Sequence, residues 1–315
     1  MAKQSVSAVT PELQLPEPTW TPARIGLGLT TRNAGFLLLV ALSVAWCWRP
    51  LTTVIGRSLE SAEYEHYSHI ILLPFFSAYL LYLNRHAIFK HVHPGLRTGL
   101  FLAAAGAATI WLGGSPVITG EPEHQLSMTM LGLVTLWAGG FGLCYGHRAL
   151  RTAAFPFLLL LFMVPLPPAV LTQIIVFLQR TSADASALLF TLIGMPNVRQ
   201  GFVFALPGLT IEVAKECSGI RSSLALLISG LVMAYLLLRS TWTRAAFVLT
   251  IIPLAIAKNA VRIVVLSWLA VHIDPSFITG SAVHRNGGIP IFLTSLAILG
   301  ALAWLLRKCE LRRTP

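Results

Sequence analysis

Long apolar runs separated by short polar breaks dominate the chain. They fall at about 34–48, 68–83, 98–113, 126–145 and 150–165, then at 218–238, 245–271 and 289–306. A helix rises ~1.5 Å per residue, so roughly 20 mostly apolar residues cross a bilayer. The pattern predicts an all-α polytopic membrane protein with about eight transmembrane helices. A weaker run, 169–195, holds Gln173, Gln179, Arg180, Ser182 and Asp184 and follows Pro165, Pro167 and Pro168. If it crossed, the later basic loops would face the wrong side. It is therefore expected as an outer amphipathic helix, interfacial or re-entrant. Residues 198–213 alternate and contain Pro207-Gly208, a pair suited to a type II turn. A short outer β-hairpin is expected there.

Charge orients the spans. Arg85, Lys90 and Arg97 lie between the second and third runs. Arg148 and Arg151 follow the fourth, Arg239 and Arg244 separate the sixth and seventh, and Arg307, Lys308, Arg312 and Arg313 close the chain. The alternate loops are poor in Lys and Arg: 114–125 has none and 272–288 has only Arg285. The positive-inside rule places both termini in the cytoplasm. Residues 1–33 are polar, Pro-rich and unlike a signal peptide. They read as a flexible cytoplasmic tail, 34–306 as one transmembrane domain, and 307–315 as a basic cytoplasmic tail.

Composition narrows the class. The chain is 55% hydrophobic and 11% charged, with mean hydropathy +0.73; soluble domains carry about 25% charged residues. Disorder, collagen and coiled coil are excluded by the same figures. Net charge is +11, but the basic residues sit between apolar runs rather than in the surface patch that nucleic-acid binding needs. Cys47, Cys144, Cys217 and Cys309 form no CxxC pair, so neither zinc site nor disulfide framework is indicated. No nucleotide-binding loop or zinc-protease helix is present, and no cofactor is expected.

An ionisable group inside a bilayer costs on the order of 2.5–3.5 kcal/mol on insertion scales, so such groups point to function. The run 245–271 carries Lys258, Asn259 and Arg262, whose spacing places them on one helix face. Snorkelling to headgroups is an alternative for Lys258. It suits Arg262 less, because apolar or small residues follow it through 271. Cys217 sits in Glu216-Cys217-Ser218-Gly219-Ile220-Arg221-Ser222-Ser223. A Cys at a helix N-terminus beside basic groups becomes a usable thiolate. Lys215, Glu216, Arg221 and Asn259 are supporting candidates, with helix-end charge and interhelical hydrogen bonding as the plainer account. Cys47, Cys144 and Cys309 read as small hydrophobes. His284 lies in the last outer loop and suits proton transfer near neutral pH. His66, His69, His124 and His272 also fall near the outer side, and topology alone does not choose among them. A thiolate, a fixed cation and a proton shuttle are the parts of cysteine acyl transfer.

At these residues the chain resembles the exosortase/archaeosortase family of membrane transpeptidases, from about 64 to 300. Tyr67-Ser68-His69-Ile70, followed by Leu73-Pro74 and Tyr79-Leu80, is similar to that family's first outer-loop signature. Val164-Pro165-Leu166-Pro167 is similar to its Ile-Pro-Leu-Pro element, and Glu216–Arg221 to its nucleophile motif. Asn259-Ala260-Val261-Arg262 resembles its Asn-x-x-Arg motif, and His284 with Gly287-Gly288 its His motif. The resemblance implies catalytic Cys217 as nucleophile, Arg262 as oxyanion stabiliser and His284 as proton donor and acceptor. A His at the third position favours the bacterial exosortase branch. The resemblance further implies a bacterial inner membrane and a periplasmic active site. The implied substrates are secreted proteins whose C-terminal sorting signal is a Pro-Glu-Pro motif, a membrane helix and basic residues, often made alongside exopolysaccharide. The acceptor nucleophile is left open, membrane lipid surrounds the enzyme, and nucleic acid is not a partner. The chain's own Pro16-Glu17-Pro18 lies upstream of the first run and reads as coincidence. A Cys-dependent membrane acyltransferase, a transporter with a Lys258/Arg262 anion site, and a structural assembly factor for polysaccharide export are the alternatives.

Overall fold

The computed structural model describes residues 31–59, 67–90, 95–115, 120–214, 219–279 and 288–313. Thirteen helices occur among them. They are α1 (Thr31–Trp46), α2 (Trp48–Leu59), α3 (Leu73–Leu83), α4 (Arg85–Ile88), α5 (Leu96–Gly113), α6 (Pro122–Tyr145) and α7 (His147–Thr152), then α8 (Ala154–Leu160), α9 (Pro168–Leu192), α10 (Ile220–Leu237), α11 (Thr241–His272), α12 (Ser276–Thr279) and α13 (Gly288–Arg313). The protein is a multi-pass helical membrane protein. Five helices are long and apolar enough to cross a bilayer: α5, α6, α10, α11 and α13. Two more crossings arise if each bent pair is one span: α1 with α2, bent by 76°, and Ala154–Met163 with α9, bent by 91°. The run at 68–83 yields only Ile70–Leu83; fourteen helical residues reach roughly 21 Å, short of the ~30 Å hydrocarbon core. Hence five to seven crossings stand where about eight were expected.

Close backbone packing builds the first half. Gly99, Gly106 and Gly113 recur every seven residues on α5, and Gly132 and Gly139 on α6. A methyl on Gly106 would stand 2.4 Å from the backbone nitrogen of Leu136, and one on Gly139 2.3 Å from that of Ala103. In lipid, where apolar burial drives no association, such small faces let helices approach. Around this hairpin, Trp137 Nε1 donates to Ser43 Oγ of α1 at 2.8 Å, and Tyr145 donates to Asn33 at 2.8 Å.

At the 91° turn the prolines act as expected. Val164 is extended at φ −77°, ψ 120°, as a residue before proline must be, and Pro168 opens α9, where a missing N–H is harmless. The turn fits either a broken span or a re-entrant loop. The expected hairpin is present and longer by one strand. Strands β1 (Val198–Gln200), β2 (Val203–Leu206) and β3 (Leu209–Glu212) pair antiparallel in chain order. Gly208 at φ 74° completes the turn expected at Pro207-Gly208. Phe204, Leu206, Ile211 and Val213 face a core shared with Ala183 and Phe190 of α9 and Ile263 and Val264 of α11. The sheet thus lies beside the half of α11 that carries Arg262.

Candidate active site

The polar residues expected to be costly cluster where α9, α10 and α11 meet. Asn259 is 2% exposed, and its Nδ2 donates to Ser182 Oγ of α9 at 3.0 Å. Lys258 is 6% exposed and donates to Ser222 Oγ of α10. Its ammonium is directed into the protein, which removes the snorkelling alternative. Ser222 Oγ in turn donates to the Gly219 carbonyl at 3.1 Å, and Ser223 N donates to the same oxygen at 2.9 Å.

Gly219 begins α10 in a left-handed conformation, φ 71°. A Cβ there would lie 2.6 Å from Asn259 Oδ1 and 2.9 Å from its Cγ. Glycine is required twice, by backbone angle and by contact. Lys258 and Asn259 of α11 therefore both hold the start of α10, the first at Ser222 and the second at Gly219. Arg262, half-buried one turn further along α11, approaches the start of α13: a Cβ on Gly288 would sit 3.9 Å from its Nε. Two like charges one turn apart repel, so holding Lys258 and Arg262 together carries a cost.

The strand entering the cysteine motif is pinned too. Gln179 of α9 is buried, and its Nε2 donates to the Val213 carbonyl at 2.9 Å, while Val213 N donates to Phe202 at 2.9 Å. Cys217, Lys215, Glu216, Ser218, His284 and Gly287 lie outside the described residues, as do His66 and Pro16-Glu17-Pro18. Arg221 is exposed.

Of the other histidines, His69 shares a hydrogen bond of 3.1 Å with the Phe162 carbonyl. It joins the Tyr67–Ile70 element to the chain just before Val164–Pro167. Beside it Arg57 pairs with Glu123 at 3.1 Å and reaches the Tyr67 hydroxyl at 3.4 Å. His272 is exposed and stacks on Trp268 at 4.7 Å. At the opposite ends of α11 and α13, a groove of about 460 Å³ is lined by Arg239, Ser240, Thr243, Cys309 and Glu310 among others. It touches none of the Lys258–Arg262 cluster.

The family model for the transmembrane exosortases (Exosortase_EpsH) matches residues 61–301. The chain belongs to the transmembrane exosortase family. Comparison with curated proteins and with solved structures gives no match. The family match spans every motif from Tyr67 to His284, so the α9–α11 junction lies within the exosortase region. Sequence reading missed three supports of that junction: Gln179, Ser182 and the Ser222 relay. Gln179, Ser182 and Ser186 share one buried face of α9, while Gln173, Arg180 and Asp184 are exposed. Reading that helix by face instead of by polar content would have found them.

Proposed function

We propose that the protein is a cysteine transpeptidase that cleaves C-terminal sorting signals of secreted proteins at the outer face of a bacterial inner membrane. The observation that carries this reading is the convergence on one face of α11. Gly219 meets Asn259 and Gly288 meets Arg262. Cys217 is two residues before Gly219 and His284 four before Gly288, tethers of at most roughly 7 and 14 Å. The two segments that carry the expected chemistry are therefore tethered to neighbouring points of one helix, the first at Asn259 and the second at Arg262.

In the proposed cycle His284 accepts the Cys217 proton, and the thiolate attacks the scissile carbonyl. The tetrahedral oxyanion faces Arg262, whose planar guanidinium serves as a fixed cation rather than a base. Collapse breaks the C–N bond, the amine leaves with the proton from His284, and a thioester remains on Cys217. Water, or an amine or hydroxyl of an acceptor, then attacks the thioester, and its proton returns through His284 to the sulfur.

Orientation follows from charge. Asn84 next to Arg85 donates to Tyr235 at 3.0 Å, Arg244 donates to the Leu238 carbonyl at 2.9 Å, and Glu310 accepts from Arg239 and Ser240 N at 2.9 Å. These contacts gather the basic segments at one end, taken as cytoplasmic, and leave Arg262 toward the other. The substrate class, a secreted protein ending in Pro-Glu-Pro, a membrane helix and basic residues, rests on family membership. The test is processing of such a tagged protein in cells lacking other exosortases. Cys217→Ala and Cys217→Ser should both abolish it, and normal processing by Cys217→Ala would end the proposal.

A further inference from the structure

Lys258 is buried, and among the described residues its hydrogen-bond partner is a neutral hydroxyl, Ser222 Oγ. That hydroxyl donates its own hydrogen bond to the Gly219 carbonyl. An ammonium, a hydroxyl and a carbonyl thus form a chain ending at the residue that starts α10. A lysine needed only for packing would be an odd choice, since an apolar side chain of similar length avoids the desolvation cost and is often neutral or stabilising.

We propose that Lys258 is a positioning residue: through Ser222 it fixes the Gly219 turn and sets a cation at the N-terminal end of α10, which favours the thiolate of Cys217. This rests on the cysteine reading of the protein. The helix N-terminus adds to the same field but does not carry it: its partial charge is weaker than a full ammonium and acts within the first turn. The other ionisable groups to weigh are Arg262 on α11 and exposed Arg221 on α10, with Lys215 and Glu216 adjoining the cysteine in sequence and His284 four residues before Gly288. They are unchanged in the variants below.

The test uses the full chain in membrane vesicles with a tagged substrate. Three readings are taken: processing rate, thermal unfolding in detergent, and iodoacetamide alkylation of the Cys217 peptide by mass spectrometry across pH. Lys258→Met should unfold no earlier than the parent, process at least tenfold more slowly, and alkylate about tenfold more slowly near neutral pH. At high pH, where every thiol is ionised, its alkylation should regain the parent rate. Lys258→Arg should keep alkylation within about threefold, because the charge remains. Ser222→Ala should fall between the two, with the charge present but unanchored.

An alkylation curve for Lys258→Met that superimposes on the parent's, with Cys217→Ala inactive, overturns this proposal alone. So does a lowered unfolding temperature that Lys258→Arg shares. Normal processing by Cys217→Ala overturns the cysteine reading, and this proposal with it.

Discussion

Replacing Gly219 by alanine tests the junction at its tightest point. The backbone there is left-handed, φ 71°, which costs an alanine roughly 1–2 kcal/mol. The new methyl would also lie 2.6 Å from Asn259 Oδ1, closer than side-chain carbons approach oxygen. Asn259 must swing away and lose its 3.0 Å bond to Ser182, about 0.5–1.5 kcal/mol for the net bond and more if either group stays buried and unpaired. The expected total is about 2–4 kcal/mol. Gly208 supplies the control: its φ is 74° and nothing lies within 4 Å of its missing Cβ. Gly208→Ala should therefore cost only the backbone share, roughly 1–2 kcal/mol. Chemical unfolding in detergent measures both. Asn259→Ala isolates the contact, because it removes Oδ1 and Cγ and leaves Cβ at 3.5 Å, an ordinary separation. The double variant Gly219→Ala/Asn259→Ala should be about 1–2 kcal/mol more stable than the two single effects add to, within the usual range for touching residues. Processing should be lost in Gly219→Ala and kept in Gly208→Ala. Equal costs for the two glycine variants, or simple additivity with Asn259→Ala, would refute the argument.

Three other outcomes are expected. Gln179→Ala removes the donor to the Val213 carbonyl and should cost about 1–3 kcal/mol, while exposed Gln173→Ala should stay within about 0.5 kcal/mol; unfolding midpoints compare them. Gly106→Ala forces a methyl against the Leu136 backbone and should destabilise by about 1–3 kcal/mol or more, since backbone cannot rotate aside as a side chain can. Arg262→Lys should still unfold in one cooperative transition in detergent but slow processing by roughly 10²–10³, because a point charge replaces the planar fork.

Much of the fold was legible because lipid imposes it. Apolar runs had to become helices, and the positions of α5, α6, α10, α11 and α13 follow from length alone. The turn at Pro207-Gly208 was legible because only glycine accepts its φ cheaply. The breaks were only partly so: Pro50 clashes with the carbonyl four residues back and so ends α1 at Trp46, but nothing in the run announces that the axis turns by 76° into α2. Within the site, Lys258, Asn259 and Arg262 stood out because charge in an apolar run is rare. Their partners did not, because Ser182 and Ser222 are common residues in membrane helices and acquire meaning only from what they face. The seven-residue glycine spacing on α5 and α6 was visible in the sequence and went unread, since no motif of fixed length announces it.

The two halves of the molecule solve different problems with the same scarcity of polar atoms. Between α5 and α6 the nearest contacts of Gly99, Gly106, Gly132 and Gly139 are with backbone, which cannot rotate aside. At the α9–α11 junction the contact is made by side chains with hydrogen bonds, each able to exist in another rotamer. The proposed catalytic role asks for side chains whose rotamers are held by packing and supporting hydrogen bonds. Gly219 combines both kinds of contact. It brings backbone against Asn259 as closely as the glycines of α5 meet α6, while its carbonyl remains open to Ser222. Tightening the α5–α6 pair should therefore alter stability alone, whereas any change at Gly219 should alter stability and chemistry together.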